Sequence, residues 1–129
     1  MKVLCLADGS LEITHRNHRV LADRIPEEGG QDLAMEPMEL LVGALGSCTG
    51  AVLAAYFKRH ERDPQGLKLE LDFVADGAPG HRRISKIDVK VLVPFALDDR
   101  MRATVNRLST ACTVHNTLNS EITVTIQEP

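Results

Sequence analysis

The residues of this chain that could do chemistry are its three cysteines, Cys5, Cys48 and Cys112, and its five histidines. An odd number of cysteines cannot form a fully paired framework, and in a reducing compartment thiols serve as ligands or nucleophiles more often than as staples. Cys48 and Cys112 stand apart because each is followed by threonine, in Cys48-Thr49 and Cys112-Thr113. A polar neighbour beside a thiol in an apolar segment is unusual for packing alone, although both cysteines could also be read as small core residues. Cys5, flanked by apolar residues in an opening strand, reads as a packing residue. Cys112 and His115 have the spacing of half a zinc site, but no second pair at ligand spacing exists, and His15, His18, His60 and His81 are scattered. No metal is expected. Gly29-Gly30 lacks the Lys-Ser/Thr or third glycine of a phosphate loop. The chemistry that remains is that of a nucleophilic thiol, with His115 placed to hydrogen-bond near it.

Cys48 lies in the run from Pro37 to His60, PMELLVGALGSCTGAVLAAYFKRH. Pro37 suits a first helical turn because its missing N–H leaves nothing unpaired, and Glu39 favours the positive end of the helix dipole. Met38, Leu40, Leu41, Val42, Leu45, Val52, Leu53, Ala55, Tyr56 and Phe57 point in nearly every direction around a 3.6-residue turn, so the helix is expected to be buried all round. Gly43, Gly46 and Gly50 weaken a helix, which points to a close neighbour, expected to be another helix. The charged end at Lys58 to Asp63, with Pro64 and Gly66, stops it. Burial by itself disfavours a thiolate, so a reactive Cys48 calls for a stabilising cation such as Arg24 or Arg19.

Around this helix the chain reads as strands. Val3 to Leu6, Leu11 to Thr14 and His18 to Ala22 form a meander, and an aperiodic stretch from Asp23 to Glu36 follows, of a length often functional in small domains. Leu67, Leu69, Leu71 and Phe73, then Ile87, Val89, Val91 and Val93, alternate with polar residues as two half-buried strands joined by a turn through Gly77, Pro79 and Gly80. Asp98 or Asp99 caps an amphipathic helix whose stripe of Met101, Val105, Leu108 and Cys112 runs into ACTVHNTL. Ile122, Val124 and Ile126 close the chain as a last strand.

At 129 residues the chain is expected to be a single domain, 1–129, of the α+β class. Its net charge of −3 gives no electrostatic case for nucleic acid or an anionic membrane, and 3% aromatics with no Trp leaves no stacking platform. MKVLCLADGS has too short an apolar run for a signal peptide, and no run is read as a membrane span; a cytoplasmic location is expected. One sheet covers only one side of an apolar helix, so a second copy related by a two-fold axis should cover the other, burying roughly 2,000 Å² or more as obligate homodimers do.

The stretches HRVLADRIPEEGG (18–30), PMELLVGALGSCTG (37–50) and ACTVHNTL (111–118), in this order, resemble the OsmC/Ohr family of thiol peroxidases, in particular its OsmC-like branch. The shared pattern is His18, Asp23, Gly29, Gly30, Pro37, Glu39, Leu40, Leu41, Gly46, Cys48 and Thr49. The resemblance implies an OsmC-like fold, an antiparallel sheet wrapped around a long buried central helix in an intertwined homodimer. It also implies a cycle in which Cys48 attacks an organic hydroperoxide and Cys112 condenses with the sulfenic acid to form a disulfide. No bound cofactor is implied; an external dithiol, lipoyl or small, would reset the pair. The family's helix-starting Pro is followed by a Glu that pairs with the activating Arg, but here Met38 stands there, with Glu39 about 100° further around the helix. The activating Arg would be Arg24 or Arg19, with His18, Met38 and His115 toward the substrate. The usual Cys-Pro at the second cysteine is Cys112-Thr113. The alternative reading is a dimeric protein that binds a small apolar ligand, or responds to redox change, without efficient turnover.

Overall fold

In the computed structural model, which describes residues 1–78 and 80–129, the chain forms two compact units, Met1–Leu41 and Val42–Pro129. Pro79, placed by the sequence in a turn, lies outside the described residues.

The first unit is the expected meander: β1 (Lys2–Cys5), β2 (Leu11–His15) and β3 (His18–Ala22), antiparallel throughout, with His15 facing His18 across the second turn. The segment that follows is ordered from within. The Asp23 carboxylate accepts the amides of Arg24 at 2.8 Å and of Gln31 and Leu33 at 3.1 Å each. A 3-10 turn over Pro26–Glu28 ends at Gly29 in the left-handed region, where glycine carries no Cβ penalty. Gly30 passes so close to Arg24 that a Cβ would stand 2.0 Å from the Arg24 carbonyl oxygen. A left-handed turn at Gly29 and this close approach at Gly30 account for the glycine pair. The Leu33 amide is the strongest influence holding the Asp23 carboxyl below its ordinary range; burial opposes it, and the Arg24 and Gln31 amides add to it. A carboxyl held low stabilises the loop at pH above the ordinary carboxylate range, and that contribution is lost as pH falls through the lowered value. Asp23→Ala is therefore expected to make residues 24–33 exchange amide hydrogens and admit protease at neutral pH; wild-type protection there would refute this.

The second unit holds the core. Helix α1 (Pro37–Arg59) begins in the first unit and runs through the second. Its start is a capping arrangement, since the Glu36 carbonyl accepts from Leu40 and the Glu36 amide donates to the Glu39 carboxylate at 2.8 Å. Strands β4 (Lys68–Asp76) and β5 (Arg83–Leu92) pair antiparallel. Helix α2 (Asp99–Ser109), capped by the Asp98 carboxylate on the Met101 amide at 2.7 Å, and α3 (Thr113–Thr117) lead to β6 (Glu121–Gln127). β6 lies parallel to β5, Ile87 against Ile122 and Val91 against Ile126. The expected all-antiparallel sheet is thus corrected to two three-stranded sheets, the second of them mixed. The connection from β5 to β6 carries two helices, and crossovers of that length return a strand parallel.

Ile87, Val89 and Val91 of the central strand β5 share the core with Val42, Leu45, Leu53 and Phe57 of α1, each side chain contributing about 1.5–3 kcal/mol by burial. The helix is not buried all round within the chain. Val42, Leu45, Gly46, Thr49, Leu53 and Phe57 form one buried stripe, while Leu41, Ser47, Ala51 and Ala55 are exposed. The glycines admit a strand in place of the expected helix: a Cβ on Gly46 would meet Leu71 Cδ1 at 2.7 Å and one on Gly50 would meet Leu69 Cδ1 at 3.4 Å, whereas Gly43 faces open space. With a mean hydropathy of 1.8 over a span-length window, α1 is long and apolar enough to cross a bilayer, contrary to the reading of the bare sequence. Its buried stripe packs as that of a core helix.

Candidate active site

Two neighbouring features bring the thiols together. Cys48 sits on α1 beside Thr49, and the α1 stripe that faces the core carries the Thr49 side chain inward to 1% exposure. Cys112 does not continue the stripe of α2, as the periodicity suggested, because α2 ends at Ser109; Cys112 is instead the N-cap residue of α3, in extended conformation. Its sulfur takes the place of the usual capping oxygen and accepts the His115 amide at 3.4 Å. Thr49 Oγ1 lies 3.5 Å from the same sulfur, and the Cys48 thiol is near enough to favour its charge.

Both are free thiols, Cys48 partly exposed and Cys112 1% exposed. Burial pushes the Cys112 thiol up, but the Thr49 hydroxyl, the His115 amide, the Cys48 thiol and the Val114 amide together outweigh it. The balance leaves Cys112 below its ordinary value. Chemically, a partly accessible thiol near a buried one can be oxidised and then captured as a disulfide.

Of the other expected residues, His18, Arg19, Arg24, Met38 and Glu39 belong to the first unit. Glu39 is engaged at the start of its own helix and Met38 is half-buried beside it. His18 and Arg19 lie on β3, Arg19 paired with Glu12 of β2. Arg24 lines a cavity of about 350 Å³ in the first unit, together with Cys5, Asp23, Gly30 and Pro37, and has no ion-pair partner among the described residues. Cys5, read as a packing residue, is exposed. The His115 ring has a buried Nδ1 with no hydrogen-bond partner among the described residues. Among the described residues no group of three His, Cys, Asp or Glu is placed to hold a metal. Sequence reasoning passed over Thr49 as a site residue, although the paired Cys-Thr dipeptides were its signal.

A family model described as OsmC-like protein matches residues 29–127, a stretch that holds both thiol segments. The chain belongs to the OsmC-like family. Among solved structures, a Psychrobacter arcticus protein named for osmotic stress induction and the detoxification response is similar at 22% identity and a TM-score of 0.87, covering 99% of this chain and 93% of that one. A protein from Aquifex aeolicus is similar at 16% identity and 0.81, covering 99% and 93%. An organic hydroperoxide resistance protein from Elizabethkingia anophelis is similar at 12% and 0.75, covering 99% and 94%. At these identities the likeness is one of fold. Among curated proteins no sequence matches the chain.

Proposed function

We propose that this OsmC-like protein is a thiol-dependent peroxidase that reduces organic hydroperoxides by cycling between a dithiol and a Cys48–Cys112 disulfide. The observation that carries this reading is the pair of neighbouring free thiols, one partly exposed and one buried. The Cys48 sulfur attacks the distal peroxide oxygen, the O–O bond breaks, and an alcohol and Cys48 sulfenic acid form. Cys112 then displaces water to give the disulfide, which an external lipoyl or small dithiol reduces. The name of the Elizabethkingia protein supports the choice of substrate class. A cycle of this kind suits the reducing cytoplasm. Where the resemblance calls for an arginine, Arg24 is the candidate, because Arg19 is already paired.

The protein works as a homodimer on this reading. A three-stranded meander needs a covered apolar face to be stable, yet Val3, Leu4 and Val20 remain 62%, 59% and 45% exposed in the single chain. Light scattering at micromolar concentration is expected to give twice the chain mass; a folded monomer would overturn the dimer.

Titration of free thiols after one equivalent of cumene hydroperoxide tests the function. Both Cys48 and Cys112 should be lost within seconds and recovered with a dithiol, with the disulfide mapped by mass spectrometry. Unchanged thiols would sink the peroxidase and favour the second reading, a small-ligand binder, for which the cavity lined by Leu11, Pro37 and Arg24 speaks.

A further inference from the structure

In the second unit, α1 and α2 leave between them a groove of about 370 Å³, walled by Val52, Ala55 and Tyr56 of the one and Leu108 of the other, with Arg59 and Arg107 beside them. Val52, Tyr56 and Leu108 also pack against the core, so the apolar wall is held from behind. Each arginine stands in the last turn of its helix, where a cation favours the negative end of the dipole. That accounts for a cation at each position, but not for two of them on one apolar groove. Both are exposed, and neither guanidinium has an ion-pair or hydrogen-bond partner among the described residues. Arg102, on the same helix as Arg107, is by contrast paired with Glu128. Thr104, also in the wall, turns its hydroxyl back to the Arg100 carbonyl at 3.0 Å. The groove therefore combines an apolar surface with two uncommitted positive charges.

We propose that this groove binds an apolar carboxylate, its head held by the Arg59 and Arg107 guanidinia and its hydrocarbon body laid against Val52, Tyr56 and Leu108. A guanidinium fork matches the two oxygens of a carboxylate. The same fork matches a phosphate, but a dianion here would stand at the C-terminal turns of two helices, whose unpaired carbonyls carry negative partial charge; a single charge is opposed less. The apolar wall favours a hydrocarbon body over a polar one, since it makes no hydrogen bonds in exchange for those lost to water. At the ~30 Å³ that a water takes up in the liquid, the groove has room for about a dozen non-hydrogen atoms, the size of a ten-carbon carboxylate. The proposal concerns binding and holds whether or not the thiols turn over. The groove shares no residue with the cavity beside Arg24.

The chain has one Tyr and no Trp, so its tyrosine emission reports from the wall of this groove alone. Titrating the full chain with sodium decanoate should change that emission saturably. Decan-1-ol, of the same length but without the charge, should bind about tenfold more weakly. Arg59→Gln and Arg107→Gln, both at exposed positions, should each weaken decanoate binding by about tenfold, and the double variant should no longer prefer decanoate to decanol. Inorganic phosphate at the same concentration should not displace decanoate. Equal binding of decanoate and decanol by the wild type would overturn the proposal, as would wild-type affinity for decanoate in the double variant or its displacement by phosphate. An emission unmoved by millimolar decanoate, the result if a second copy of the chain closes the groove, overturns it as well. The wild-type comparison of the two ligands decides the matter if a variant fails to fold.

Discussion

The Cys48→Ser protein is expected to leave one equivalent of cumene hydroperoxide unconsumed, while the Cys112→Ser protein reacts once and then accumulates overoxidised Cys48. The asymmetry follows from access and from the second step. Cys48 is partly exposed and Cys112 is 1% exposed, so only the first can meet a substrate. On the proposed cycle a sulfenic acid formed at Cys48 is captured by the neighbouring Cys112 sulfur; without that sulfur, further peroxide carries it to the sulfinic acid. Both variants should fold. Serine is a good N-cap, so at position 112 it can still accept the His115 amide, and position 48 lies outside the fully buried stripe. Mass spectrometry after one and ten equivalents distinguishes the outcomes. Wild-type peroxide consumption by Cys48→Ser, or an intact Cys48 thiol in Cys112→Ser, would end the mechanism.

The largest loss of stability is expected at Phe57. The chain has three Phe and one Tyr, and three of these four rings meet around Phe57. Phe57 is fully buried, packs edge-on against Phe95 with centroids 5.0 Å apart, and touches Tyr56 at 5.7 Å, with the Arg62 guanidinium over the far ring. Phe57→Ala removes the largest fully buried side chain from a core that is otherwise aliphatic, and its neighbours on β5 are held by sheet pairing and cannot close the gap. The expected cost is about 3–5 kcal/mol, read as a lower guanidinium midpoint at fixed protein concentration with an unchanged slope. A cost below about 1 kcal/mol would mean that this end of α1 is not packed as described.

The sequence by itself determined the elements and their caps. Pro37, Glu39 and the charged end bound α1 to within a residue of Pro37–Arg59, Asp98 was one of two expected caps of α2, and short apolar runs and alternation located the six strands, β5 starting four residues earlier than expected. These are readings of period and local hydrogen bonding, which a few neighbouring residues suffice to specify. The order of the thiol segments likewise carried the family, later matched over residues 29–127. Alternation does not distinguish a parallel from an antiparallel neighbour, so the pairing of β6 with β5 came only with the fold. The Gly46 and Gly50 approaches were legible as small residues, but their visitors, Leu71 and Leu69, belong to a strand some 20 residues away in the chain. The site divided in the same way. Cys48 and Cys112 were visible as residue types, whereas which sulfur collects the donors was not. That depends on α2 stopping at Ser109, which frees Cys112 to cap α3, and on a threonine 63 positions earlier turning its hydroxyl to the same atom. The charge on a sulfur is decided by every donor that packing brings to it, and packing is the part of the fold that local sequence does not encode.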